Sequence, residues 1–302
     1  VDRKRIGVVG VSGFLGRKLA TVAASRGHSV IGFSRNIMQV EGCKEMRVFR
    51  ADGPLPVHGL DAIVNLAGES ILGRWTPAKR RTILESRIMP TRRLVAAIAA
   101  ERETAPTPEV LVNASGIGYY GNTGDETVDE RSPRGTGFLA ETCGLWESEA
   151  VEARRAGLRV VLLRTGFVLG REGGAMPLVG RVFRMGLGGR FGNGRQYMPW
   201  VHVDDVVRII LYAAENSHVD GPLNAVSPAP VTNREFTKAV ARTVGRPAVF
   251  PAPAFVLRPL LGEFSGTLLD SVRAVSRDLA GFPYRYQTLD PALADVLRKK
   301  AS

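Results

Sequence analysis

The run Gly10-Val11-Ser12-Gly13-Phe14-Leu15-Gly16 follows a short apolar stretch at residues 6–9 and leads into a segment with Leu19, Val22 and Ala23 on one face. A glycine triplet between a strand and a helix constrains the fold more than any other feature of this chain, because it closes a βαβ unit around the phosphates of a dinucleotide. Gly10 permits the tight turn, Gly13 leaves room for a pyrophosphate, and Gly16 lets helix and strand pack closely. The amides at the helix start face the phosphates, which brings Ser12, Phe14 and Leu15 into the contact set. Gly27-His28 ends the helix, and residues 29–33 supply the second strand.

Sites that prefer NAD place an acidic residue at the end of that strand to accept the adenine ribose hydroxyls. Ser34-Arg35-Asn36 stands there instead. Ser34 can donate to a 2′-phosphate and Arg35 can pair with it in a charge-assisted arrangement, which favours NADP(H) over NAD. The other reading of Arg35 is an ordinary solvated side chain.

Further apolar runs fall at residues 46–49, with Asp52 just beyond near the adenine edge, and at 60–66, 110–114 and 160–163. Six strands alternating with helices predict an α/β fold, a Rossmann-like doubly wound parallel sheet. The strand at 60–66 ends in Leu66-Ala67-Gly68-Glu69, whose small residues let a cofactor lie against backbone. Pro77 opens a helix that Pro90 is expected to kink or divide. Ser115 closes the fifth strand, a glycine-rich loop with Tyr119 and Tyr120 follows it, and a helix is predicted over 138–155. After Gly170 the rhythm changes. Helices are predicted at 178–185, 268–274 and 291–297, and another runs through Val206 and Ala213 behind His202, Asp204 and Asp205, which read as turn and cap residues. Thr232 and Glu235 have capping-box spacing ahead of Phe236, Val240 and Val244.

With 302 residues the chain can bury a large core, and Lys plus Arg exceed Asp plus Glu by 41 to 29, a formal charge of +12. That balance suits a phosphate-containing small-molecule substrate or cofactor, and equally a merely basic surface. No zinc-finger spacing or RNA-binding aromatic signature points to nucleic acid, and four histidines without clustered spacing argue against a metal site. Cys43 and Cys143 read as free thiols, with a disulfide as the alternative. No apolar run reaches 18 residues and no signal-peptide core is visible, so the expectation is no membrane partner and a cytoplasmic location by default.

Taken together, GxxGxxG, NLAGESI, RWT, ESR, SGIGYYG, WE, RTGFVLGREGGAMP, WVHVDDVV and LNAVSPAPVTNREF resemble the extended short-chain dehydrogenase/reductase superfamily. Within it the chain is similar to the NAD-dependent epimerase/dehydratase family, in an atypical subgroup described as sugar-nucleotide epimerases or cell-division-inhibitor-like proteins. The resemblance covers nearly the whole chain. It implies an NADP-binding Rossmann domain over residues 1–170, with 198–226 returning to it, and a smaller discontinuous substrate-binding lobe made mainly of 171–197 and 227–302. It promotes Arg87 to a phosphate or ribose contact. It also places Arg195 and Gln196 on the substrate side of the lobe, where a surface loop is the alternative.

The superfamily's chemistry uses Ser or Thr, a Tyr, and a Lys four residues later. Ser115 matches the first. Registering the helix TGFLAETCGLWESEA on Glu147 puts Leu139 at the Tyr position and Cys143 at the Lys position, and neither can do the parent chemistry. Tyr119 and Tyr120 are the candidate substitutes for proton donation, or else they line the pocket or close a loop. The reading that follows is an NADP-dependent oxidoreductase or epimerase-like enzyme acting on a hydroxyl or carbonyl compound, with nucleotide sugars among the candidates, as a monomer or homodimer. The competing reading is an NADP-binding regulatory or scaffold protein with little or no turnover.

Overall fold

A computed structural model describes residues 3–49, 55–102 and 108–298; Asp52 and the final lysines lie outside the described residues. In chain order the first half comprises β1 (Arg5–Val9), α1 (Phe14–Ser25), β2 (Ser29–Ser34), β3 (Cys43–Val48), β4 (Ala62–Asn65), α2 (Pro77–Glu101), β5 (Val110–Gly116), β6 (Thr127–Val128), α3 (Phe138–Val151) and β7 (Arg159–Thr165). The second half comprises β8 (Phe167–Leu169), α4 (Met176–Arg184), β9 (Tyr197–Met198), β10 (Trp200–His202), α5 (Val203–Glu215), β11 (Gly221–Ala225), β12 (Val231–Thr232), α6 (Asn233–Val244), α7 (Ala254–Leu261), α8 (Gly266–Leu269), β13 (Arg273–Ala274) and α9 (Leu289–Leu297).

Seven strands form one parallel sheet in the order β11-β7-β5-β4-β1-β2-β3. A sheet buried on both faces needs strands with continuous apolar runs, and β1, β4, β5 and β7 each carry one. On one face Leu19 and Ala23 of α1 and Val206, Ile209 and Ile210 of α5 pack against Ile6, Val8, Val64 and Val112. On the other, Leu94 and Ile98 of α2 and Ala150 of α3 cover Val9, Ile63, Leu111 and Val160. The strand order reverses between β1 and β4, and their carboxyl ends form the crevice where such sheets bind ligands. A separate core of Met176, Phe183, Trp200, Phe236, Val240, Leu293 and Val296 holds α4, α6 and α9 together beside the sheet.

Several local expectations shift for physical reasons. Pro90 does not divide α2, because Ile83, Thr91, Leu94 and Ile98 are buried on both sides of it and hold the helix on its bed. The strand expected at 46–49 begins earlier, at Cys43. The helix expected at 138–155 stops at Val151 and tightens into a 3₁₀ turn that Gly157 closes at a φ of 79°. The helix expected at 268–274 is instead the single turn α8 followed by β13, which pairs with β6. Tertiary contacts decide this: the Ser271 amide donates to Asn122 Oδ1 at 3.0 Å and Arg273 stacks over Tyr197.

The capping box forms as its spacing implies. Thr232 accepts from the Glu235 amide while the Glu235 carboxylate accepts from the Thr232 amide, at 3.3 and 2.7 Å. Thr232→Ala should destabilise the protein by about 1 kcal/mol. Urea unfolding would register this as a lower midpoint at unchanged slope, and an unchanged midpoint would mean that the cap is idle.

Candidate functional site

The glycine loop brings backbone together where side chains would prevent it. Gly10 adopts a φ of +78°, and a Cβ on Gly16 would sit 2.4 Å from the Gly10 carbonyl oxygen. Gly13 is the N-cap of α1 and supplies no side-chain cap, so the first-turn amides are left for an anion. Ser12 Oγ lies 3.2 Å from Ser34 Oγ, joining the loop to the end of β2, and Arg35 beside them is exposed. Phe14 packs its ring against the glycine turn after β8, where a Cβ on Gly170 or Gly173 would fall 2.2 or 2.5 Å from it. Leu15 packs at the margin of the core beneath the loop.

Leu66, Ala67, Gly68 and Glu69 follow β4 at the same edge. The Leu66 amide donates to the Val9 carbonyl, and the Ala67 amide donates to Asn65 Oδ1. Arg87 organises this loop from α2: Nη2 donates to the Glu69 carbonyl at 3.0 Å, Nη1 to the Ile83 carbonyl at 2.8 Å, and the guanidinium lies over Trp146. A buried hydrogen-bonded set fixes the neighbouring strands, with Asn65 Nδ2 donating to Asn113 Oδ1 and Thr91 Oγ1, and Trp146 Nε1 donating to that same threonine.

At the end of β5, Ser115 Oγ donates to Glu147 Oε1 at 2.7 Å. Glu147, on α3, is gripped by Arg164 of β7 through Nε at 2.9 Å and Nη2 at 2.8 Å. All three residues are buried, Arg164 being only 2% exposed. Burial works against the Arg164 cation, and the Glu147 carboxylate more than offsets it, so its pKa rises above the ordinary arginine value. Tyr119 lays its ring on the guanidinium at 3.4 Å. Tyr120 Oη receives a hydrogen bond from Arg164 Nη1 at 3.0 Å and donates to Asn224 Oδ1 at 2.7 Å. Burial raises the Tyr120 pKa, with Arg164 pulling the other way. Of the two candidate proton donors, Tyr120 is thus committed inside the fold, whereas Tyr119 is half-buried.

Leu139 and Cys143 face the same region from α3. Leu139 joins an apolar cluster with Trp75, Ile83, Phe138 and Phe264, and Gly118 packs directly against it. Cys143 is a buried free thiol next to Ser115 and Gly116, and burial pushes its pKa up to about 11. In the second lobe Arg195 is exposed, but Gln196 is not aimed at a ligand. Its Nε2 donates to the Phe191 and Leu268 carbonyls at 3.1 and 2.7 Å, which ties two loops together. His202, with Nδ1 accepting from the Asp204 amide, caps α5, while Asp205 accepts from the amides of Arg285 and Tyr286.

Glu147, Arg164 and Asn224 were not among the site residues expected from the sequence. One signal was present: Arg164 follows four consecutive apolar residues in the strand Arg-Val-Val-Leu-Leu-Arg-Thr, and a buried arginine requires a buried partner.

An all-parallel sheet with a glycine loop at its switch point and a serine closing the fifth strand defines a dinucleotide-binding α/β protein of the extended dehydrogenase type. The chain belongs to the NAD dependent epimerase/dehydratase family, whose profile matches residues 6–225, and residues 252–296 match a domain of unknown function, DUF1731. An epimerase family protein of Mycobacterium leprae is 39% identical over 297 residues, covering 96% of this chain and 94% of its own. The crystal structure of human epimerase family protein SDR39U1 (isoform 2) with NADPH superposes with a TM-score of 0.87 at 34% identity, covering 97% of this chain and 99% of that one. The nucleoside-diphosphate sugar epimerase of Corynebacterium glutamicum gives 0.80 at 31% identity, covering 98% of this chain and 58% of that one.

The Cys143 thiol supplies a pH test. In the unfolded chain it ionises near 9.0 and in the native state near 11, so the unfolded state loses its proton first. The stability that Cys143 contributes is complete below pH 9 and is lost as pH rises toward 11. Urea unfolding across this window should show wild type losing stability relative to Cys143→Ala, and a pH-independent difference would contradict the buried protonated thiol.

Proposed function

We propose that this protein binds NADP(H) and acts as an oxidoreductase or epimerase-like enzyme on a hydroxyl or carbonyl compound. The observation that carries the cofactor assignment is the end of β2, where Ser34 meets Ser12 at 3.2 Å and exposed Arg35 stands in place of an acidic residue. NADPH in the human relative's crystal structure, at 34% identity, supports the same assignment.

The residues fit the cofactor. The uncapped start of α1 would hold the pyrophosphate on the amides of Phe14 and Leu15, and the small residues Ala67 and Gly68 leave backbone open at the end of β4. Ser12, Ser34 and Arg35 would hold the 2′-phosphate, and Arg87 would keep the 66–69 loop in place beside it. Bound there, the cofactor would supply or take up a hydride. The substrate would lie between Ser115 and the second lobe, with Arg195 available to an anionic group and Tyr119 or water exchanging the proton. The Corynebacterium relative's description keeps a nucleotide sugar among the substrate candidates. The regulatory reading is favoured by one observation, namely that Leu139 and Cys143 stand where the superfamily keeps its Tyr and Lys.

Two measurements separate these readings and test the assignment. Arg35→Ala should weaken NADPH at least about tenfold while leaving NADH nearly unchanged, as loss of a charge-assisted phosphate contact requires. Equal losses would remove Arg35 from the site. Substrate-stimulated NADPH consumption across carbonyl, alcohol and nucleotide-sugar panels, lowered by Ser115→Ala without a matching loss of NADPH affinity, would establish turnover. Tight NADPH binding with no turnover would favour the regulatory protein.

A further inference from the structure

We infer that Glu147 is a positioning residue that accepts the Ser115 hydrogen bond, so that Ser115 meets its ligand as a hydrogen-bond acceptor and the site is built to hold a hydroxyl rather than a carbonyl. The inference rests on the reading that a hydroxyl or carbonyl group docks at the end of β5, and it adds which of the two forms the protein itself favours.

The donor and acceptor inventory leads there. A guanidinium only donates and an ionised carboxylate only accepts. Arg164 spans both carboxylate oxygens of Glu147 at 2.9 and 2.8 Å, inside the fold, which keeps the carboxylate ionised and without a proton. The remaining short contact of Glu147 Oε1, 2.7 Å to Ser115 Oγ, therefore has the serine as donor. A serine hydroxyl has one proton. Once it is held by Glu147, only lone pairs remain for anything else that approaches Ser115. The Cys143 thiol also hydrogen-bonds Ser115, and, kept protonated by burial, it is a far weaker acceptor than the carboxylate.

The same logic orients Tyr120. Asn224 Nδ2 donates to the Val275 carbonyl at 2.8 Å, which turns Asn224 Oδ1 toward the phenol. With Arg164 Nη1 already donating to the phenol oxygen, the Tyr120 proton goes to Asn224. Two of the three hydroxyls that the sequence nominates, those of Ser115 and Tyr120, thus turn their protons into the protein, which leaves Tyr119 for proton exchange. A carbonyl oxygen beside Ser115 would meet lone pairs with lone pairs, whereas a ligand hydroxyl would complete the chain from ligand to Ser115 to Glu147.

Neutron diffraction from crystals of the NADPH complex exchanged into deuterium oxide reads this directly. We expect deuterium between Ser115 Oγ and Glu147 Oε1, with none on the carboxylate. Deuterium on Ser115 directed away from Glu147, or on Glu147 itself, overturns the inference whether or not any substrate is ever turned over. A second arm uses the carbonyl and alcohol pair that the panel identifies. Replacing the ion pair by apolar groups of similar size, Glu147→Leu with Arg164→Met, removes the acceptor without stranding a charge. It should lower the ratio of carbonyl KM to alcohol KM about tenfold. A folded variant with an unchanged ratio contradicts the inference, and a panel without turnover bears on the enzyme reading alone, leaving the neutron result to decide this one.

Discussion

Glu147 and Arg164 join α3 to β7 through a buried two-pronged ion pair, and Ser115, Tyr119 and Tyr120 at and just beyond the end of β5 take their places from that pair. Ser115 donates to the carboxylate, Tyr120 accepts from the guanidinium, and Tyr119 lies flat on it. Such a pair adds little stability over a well-packed apolar alternative, yet removing one member leaves a buried charge at a cost of about 3–5 kcal/mol. Its structural consequence is geometric: the donors and acceptors that face the crevice cannot be exchanged one at a time.

This arrangement accounts for how the chain can keep a superfamily cofactor site without the superfamily's proton-transfer pair. At the position that the resemblance gives to the Tyr, Leu139 packs into a cluster around Trp75 and Phe264, and at the position it gives to the Lys, Cys143 is a buried and protonated thiol. These replacements belong to a packed, hydrogen-bonded arrangement of their own. Phe264 comes from the 252–296 segment, so that segment contributes directly to the wall in front of α3.

The parts of the fold legible in the sequence are those set by local chemistry. The glycine loop requires positive φ and close backbone approach, the apolar strands require burial on both faces, and the Thr232–Glu235 cap is complete within four residues. What could not be read depends on contacts between distant residues. β13 displaces an expected helix because Arg273 finds Thr127 of β6, far away in the chain, a pairing that no local pattern encodes. Gln196 reads as a polar loop residue until the carbonyls of Phe191 and Leu268 are seen to claim it. Glu147 served only as a marker for aligning α3, since its partners Ser115 and Arg164 arrive from two other strands.

The cofactor crevice keeps its close-packed glycine loop, while the end of β5 is organised by Glu147 and Arg164, and we place NADP(H) between the two. A crystal structure of the NADPH complex tests it most directly. The pyrophosphate should lie on the amides of Phe14 and Leu15, the 2′-phosphate between Ser34 and Arg35, and the nicotinamide beside Ser115 with the Glu147–Arg164 pair unbroken. A dinucleotide bound elsewhere, or a Ser115 released from Glu147 to contact the nicotinamide, would contradict it.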